Sequence, residues 1–162
     1  LVVGDGVDKE KLRFLCKKVG LADRAVFTGF VPRSNVFSFM KIADVLVLPS
    51  LMEGNPRVLI EAMFCRLPIV GTDVVGISDL IEHGRNGLLV SPSNPMALVQ
   101  AVDSILGNAD LARRLTEEAY GDASLRFNGQ KLMDMNLGLV FRFARIARGG
   151  VVESKHSNSM LQ

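Results

Sequence analysis

Two carboxylates, Glu53 and Glu61, close the ends of the run Glu53-Gly54-Asn55-Pro56-Arg57-Val58-Leu59-Ile60-Glu61. An ionised carboxylate only accepts hydrogen bonds, and those it receives from hydroxyls are roughly twice as strong as neutral ones. Acids at opposite ends of one loop therefore suit a long, polyhydroxylated ligand. Between them the residues describe an anion site. Asn55 is a good N-cap and Pro56 suits a first helical position, so a helix is expected over residues 56–65. The backbone N–H groups of Arg57, Val58 and Leu59 would then point out of the helix N-terminus along its dipole, as in phosphate sites, and Arg57 adds a full positive charge. Glu61 would lie further into the helix, with Glu53, Gly54 and Asn55 on the loop ahead of it. An anion flanked by two hydroxyl-binding acids has the outline of a nucleotide sugar, one acid for the ribose and one for the sugar.

Both acids also have a plainer reading as solvated surface groups, and for Glu53 that reading stays open. For Glu61 the flanks argue otherwise. Val58, Leu59, Ile60, Ala62, Met63 and Phe64 are all apolar, and a helix apolar nearly all round is buried. A carboxylate buried alone costs several kcal/mol, so either a hydroxyl-rich ligand or a cationic neighbour is expected beside it.

The elements that would hold this loop alternate strand and helix, which predicts an α/β domain: a Rossmann-like parallel sheet with helices on both faces. Residues 1–3 start the first strand. Leu12, Leu15, Cys16 and Val19 recur at helical spacing and stop at Gly20, a natural C-cap. Residues 25–28 form the next strand, and Val36, Phe39, Met40 and Ala43 a second amphipathic helix after Pro32-Arg33-Ser34. Val45-Leu46-Val47-Leu48 reads as a strand buried on both faces and closed by Pro49-Ser50. Beyond the Glu61 helix, residues 68–71 and 88–90 read as strands. Residues 78–83 read as a short helix capped by Ser78 and ended by Gly84. Asn94-Pro95 starts a helix carrying Leu98, Val102, Ile105 and Leu106, and another follows near residues 111–125. In an open sheet of this kind ligands bind beyond the carboxyl ends of the strands, where Gly4-Asp5-Gly6, Phe30-Val31, Gly54 and Gly76 all fall. Gly4 and Gly6 lack the full G-x-G-x-x-G fingerprint of a dinucleotide dehydrogenase and equally suit a tight turn. Val31 either lines the site or belongs to the core.

Composition bounds the rest. At 162 residues, 48% hydrophobic and 22% charged, the chain supports one sizeable core. A net charge of +2 from 19 basic and 17 acidic residues is too balanced for a nucleic-acid footprint. No apolar run approaches the roughly 18 residues of a membrane span. Cys16 and Cys65 both fall in helical patterns, which favours buried thiols in a reducing, cytoplasmic compartment over a disulfide. His83 has no second histidine or cysteine at ligand spacing, so no metal is expected.

The run from Pro49-Ser50 through Glu53, Glu61-Ala62-Met63 and Leu67-Pro68-Ile69-Val70-Gly71-Thr72 resembles the C-terminal, nucleotide-sugar-binding domain of retaining GT-B glycosyltransferases. The resemblance extends to Val3-Gly4-Asp5-Gly6, Val26-Phe27-Thr28-Gly29-Phe30-Val31, Ala43-Asp44-Val45, Gly76 and Gly87-Leu88-Leu89-Val90, spanning roughly residues 1–106 in the family's order. It implies that Glu53 contacts the transferred sugar and Glu61 the ribose, with no cofactor beyond the nucleotide-diphosphate sugar. Such enzymes often carry an aromatic residue where Asn55 stands, and many have Glu where Asp79 stands. Pro56 removes a backbone N–H bond to the sugar, leaving sugar choice open. The resemblance further implies an N-terminal acceptor domain, and a strand-helix unit bearing an Arg and a Lys, upstream of Leu1. The chain alone is then expected to bind a donor better than it transfers one, in polysaccharide or glycolipid biosynthesis. A nucleotide-sugar epimerase lobe and a non-catalytic glycosyltransferase-like subunit are the alternatives. The domain is expected over residues 1–135. Residues 136–148, where Arg142, Arg145 and Arg148 recur every three residues among apolar positions, are expected to form an amphipathic helix that packs on the acceptor domain or touches anionic membrane, and residues 149–162 a disordered tail.

Overall fold

A computed structural model describes residues 1–127; the expected helix over 136–148 and the tail lie outside the described residues. Ten elements are described, alternating strand and helix as far as β4: β1 Val2–Val3, α1 Lys9–Lys18, β2 Phe27–Gly29, α2 Arg33–Ile42, β3 Leu46–Leu48, α3 Arg57–Phe64, β4 Ile69–Thr72, β5 Leu88–Val90, α4 Pro95–Leu106 and α5 Ala109–Arg126. Every ladder is parallel, in two sheets ordered β1-β2 and β3-β4-β5.

Helices cover both faces of the larger sheet, and the alternation along its strands shows why. On one face Ile69 and Leu89 meet Phe37 and Met40 of α2, Leu59, Ala62, Met63 and Phe64 of α3, and Ala119 and Ala123 of α5. On the other, Val70, Leu88 and Val90 meet Ile105 of α4 and Leu115 of α5. Adjacent strand residues point to opposite faces, so one short strand feeds two cores. Gly71 allows the first of them to close, because a Cβ there would lie 2.8 Å from Ile77 Cγ2.

Local signals placed several boundaries. α1 ends where Gly20, at φ +75, turns the chain; Gly20 N–H donates to Lys17 O and Leu21 N–H to Cys16 O, the paired bonds of a Schellman stop. Asn94 and Asn108 cap α4 and α5 through side-chain bonds of 3.0 Å from Ala97 N–H and Leu111 N–H.

Three expectations need correction. β3 is half-buried along its whole length rather than covered on both faces, since one of its edges carries no ladder. Residues 78–83 form turns, not a helix. There Asn86 Oδ1 takes the Glu82 N–H at 2.7 Å and His83 bridges Gly87, drawing the chain out of helical pairing. Ser78 donates its hydroxyl to Val74 O instead of capping, and exposed His83 accepts the Leu89 N–H at 3.0 Å. Finally, α3 begins at Arg57, with Pro56 in the capping position and Asn55 making no side-chain cap bond. Pro56 has φ −75 and ψ 84, and Arg57 N–H donates to Asn55 O at 2.9 Å. That is an inverse γ-turn, which delays the helix by one residue.

Candidate functional site

Glu53 is held by the carboxyl ends of β3 and β4. Ser50, two residues past β3, donates its hydroxyl to Glu53 Oε1 at 2.7 Å. Thr72, the last residue of β4, donates in turn to Ser50 O. Gly76 lies at φ +89 against the Glu53 backbone, so close that a Cβ there would sit 2.5 Å from Glu53 O and 3.1 Å from Gly54 O. Its amide donates to Asp79 Oδ2 at 3.2 Å, and Asp79 O accepts from the Arg126 guanidinium of α5. A rigid path thus runs from α5 through the β4–β5 connection to Glu53. Glu53 itself is half-buried, with Gly54 and Asn55 exposed beside it.

The same connection is fastened by charge. Arg85 reaches Glu82 at 2.5 Å, Glu118 at 3.0 Å and Asp122, while Asn86 Nδ2 donates to Asp122 Oδ2 at 2.6 Å and to Leu80 O at 3.1 Å. The hydrogen bond from Arg85 holds the Asp122 carboxyl below its ordinary range, against the opposing effect of burial.

Glu61 is buried, 7% exposed, as its apolar flanks implied. The cation beside it is Arg33, the first residue of α2, whose Nη2 stands 2.5 Å from Glu61 Oε1. Among the described residues no hydrogen bond of good geometry reaches either Glu61 oxygen beyond this ion pair. At the start of α3 the amides expected to be free are partly engaged: Arg57 N–H donates to Asn55 O and Leu59 N–H to Pro56 O, each at 2.9 Å. Val58 N–H alone of the three has no backbone or side-chain acceptor among the described residues. Arg57 is exposed. Burial pushes the neighbouring Cys65 thiol up, Lys41 opposes this and Glu61 adds to it; Cys65 and Cys16 are both free thiols.

The remaining predicted residues fall at the other ladder. Gly4 has φ +122 and donates its amide across to Gly29 O of β2 at 3.0 Å, and Gly6 N–H donates within its own turn to Asp5 Oδ1 at 3.2 Å. Val31 is half-buried just past β2, beside exposed Phe30. No hydrogen bond or ion pair joins this group to Glu53 or Glu61 among the described residues. A hollow of about 390 Å³ lies elsewhere, lined by Arg13, Phe14, Cys16 and Phe27. Sequence reasoning missed Thr72 and Arg33 as partners of the site, since both reach it only through the fold. Among the described residues no group of three or more His, Cys, Asp or Glu side chains is placed to hold a metal ion, and no helix is long and apolar enough to cross a membrane.

Parallel strands, helices on both faces and an acid seated at the strands' carboxyl ends define a Rossmann-like α/β domain. The chain belongs to the family described as glycosyl transferases group 1, whose model matches residues 1–122. It is 38% identical over 126 residues to the 2-deoxystreptamine N-acetyl-D-glucosaminyltransferase of Streptomyces fradiae, covering 78% of this chain and 30% of the relative. With the alpha-D-kanosaminyltransferase of Streptomyces kanamyceticus it shares 34% identity over 119 residues, 74% of this chain and 31% of the relative. Among solved structures, Anabaena HepE in complex with UDP-glucose superposes with a TM-score of 0.73 at 26% identity, covering 88% of this chain and 39% of that one. The chain thus spans about a third of the length of the curated relatives it matches, and its fold is that of GT-B glycosyltransferases.

Proposed function

We propose that this chain is the donor-binding part of a retaining glycosyltransferase that moves a hexose-like sugar from a nucleoside diphosphate to an acceptor held by another part of the protein. In this reading Glu61 accepts from the ribose hydroxyls and Glu53 from those of the sugar. The Val58 amide and the Arg57 guanidinium face the diphosphate, so that charge on the departing group is met by protein donors rather than by a metal. Gly54 and Asn55 line the sugar side; Leu59 anchors the helix that carries Glu61. Gly4, Gly6 and Val31 border the base. The chain by itself binds the donor without transferring it, and acts on the cytoplasmic side, with membrane contact through residues 136–148.

One observation supports this most: a carboxylate that is 7% exposed and takes no hydrogen bond of good geometry among the described residues beyond its ion pair with Arg33, in a chain whose structural neighbour is described in complex with UDP-glucose. An unsatisfied buried acceptor is costly unless something supplies the missing donor. Calorimetric titration of UDP, GDP and ADP into the chain tests it. One of them is expected to bind, and Glu61→Gln to weaken it tenfold or more, about 1.4 kcal/mol or above, within the range for a bond to a charged group. Absence of binding by all three, with the circular dichroism of a folded domain, overturns the proposal.

A further inference from the structure

The ion pair between Arg33 and Glu61 carries more than charge compensation. Among the described residues it is the ion pair that joins α2 to another element, and it is strongly asymmetric: the Glu61 side chain is 9% exposed and the Arg33 side chain 48%. A guanidinium offers five donors in a planar fork that matches both oxygens of a carboxylate. Here its Nη2 stands 2.5 Å from Oε1 at the nearest approach, and neither carboxylate oxygen takes a hydrogen bond of good geometry among the described residues. The buried acid is therefore paired with a cation that is itself half exposed, so part of the guanidinium fork faces solvent beside it. An acceptor oxygen beside exposed donors is the complement of a vicinal diol, because each hydroxyl can donate one bond and accept another.

We propose that Arg33 is a specificity-determining residue: it fixes the Glu61 carboxylate so that the carboxylate accepts a hydrogen bond from one ribose hydroxyl while the guanidinium donates to the oxygen of its neighbour. The inference rests on the reading of Glu61 as the ribose contact. Sites built to bond a hydroxyl reject analogues lacking it far more strongly than apolar pockets reject a missing methylene. Arg33 thereby sets discrimination between ribonucleotides and 2′-deoxyribonucleotides.

The test is calorimetric titration of UDP, GDP and ADP and of their 2′-deoxy counterparts into the wild-type chain and into Arg33→Gln, Arg33→Lys and Glu61→Gln. For the nucleotide that binds, the wild type is expected to favour the ribose form tenfold or more. In Arg33→Gln that ratio falls to within about twofold of unity because ribonucleotide affinity is lost, while affinity for the 2′-deoxy form changes less than twofold. Arg33→Lys, which keeps the charge but not the fork, gives an intermediate ratio. Loss of a merely structural or phosphate-binding residue lowers both affinities together, so parallel losses overturn the inference, as does a wild-type ratio in Arg33→Gln. If Arg33→Gln fails to fold, a wild-type ratio in Arg33→Lys overturns it. Glu61→Gln separates the two levels. A collapsed ratio there with an intact one in Arg33→Gln sinks Arg33 alone, and an intact ratio in both, or no binding by the wild type, removes the ribose assignment beneath it.

Discussion

Substituting Gly76 by alanine tests the path that fixes Glu53. Two costs add at this position. A side chain at φ +89 enters a left-handed region that disfavours L-residues by roughly 1–2 kcal/mol. The new methyl must also clear Glu53 O at 2.5 Å and Glu53 C at 2.9 Å, both backbone atoms that cannot rotate away, and overpacking of this kind costs about 1–3 kcal/mol. Together they amount to about 3 kcal/mol, roughly 10 °C in Tm for a domain of this size. Two other glycines separate the terms. At Gly84, φ is +76 with nothing within 4 Å, so Gly84→Ala carries the backbone cost alone, about 1–2 kcal/mol. Gly54 has neither a positive φ nor a neighbour within 4 Å, so Gly54→Ala is expected within about 0.5 kcal/mol of wild type. Differential scanning calorimetry of the three variants reads the series directly. The Glu53 loop should also move, so Gly76→Ala loses affinity for the nucleotide sugar more than for the bare nucleoside diphosphate. A Gly76→Ala loss no larger than that of Gly84→Ala would refute the contact between the two loops.

The Asp122 staple gives a pH signature. Its folded carboxyl titrates below the ordinary value, chiefly through the bond from Arg85, so its stabilisation is full above the unfolded value of about 4 and is lost as pH falls through the lower folded value. Asp122→Asn is expected to destabilise the domain by about 1–3 kcal/mol at neutral pH, with the difference in Tm from wild type shrinking below about pH 4; a constant difference down to the acid limit contradicts the assignment. Cys65 reports on Glu61: burial is the main cause of its raised titration and the Glu61 charge a lesser one. In Glu61→Gln the pH midpoint of Cys65 alkylation, measured in a Cys16→Ser background, should fall, and an unmoved midpoint would place the Glu61 charge too far away to matter.

What was legible in the sequence was local. The Schellman stop at Gly20, the Asn94 cap and the Leu88–Val90 strand depend on residues within a few positions of one another, and the apolar flanks of Glu61 announced its burial. The errors share a cause, which is a competing partner that composition does not show. Ile77 and Ile81 have helical spacing and are both buried, yet the Asn86 side chain captures the Glu82 amide and ends the helix before it forms. Asn55-Pro56 has the composition of a cap followed by a first helical residue, yet a γ-turn satisfies the chain earlier. Arg33 read as part of a turn after Pro32, and only the packing of α2 against α3 brings it to Glu61.

The two halves of the proposed site are therefore held by different means. On the Glu53 side, β3, β4 and the 73–87 connection are locked to α5 by buried side chains and by the Arg85 and Arg126 bonds. On the side of Gly4, Gly6 and Val31, α1 buries no residue, Val2 and Val3 are 42% and 41% exposed, and the β1-β2 ladder is separate from the larger sheet. In the doubly wound order 3-2-1-4-5-6, a first strand lies between the second and the fourth; with β1 and β2 in second and third place and β3, β4 and β5 in fourth to sixth, the break in the ladder falls at that first position. Between the two halves stands α2, with Phe37 and Met40 in the core and Arg33 on Glu61. That makes Glu61, which stands at the junction, the part of the proposed site most sensitive to how the halves are joined.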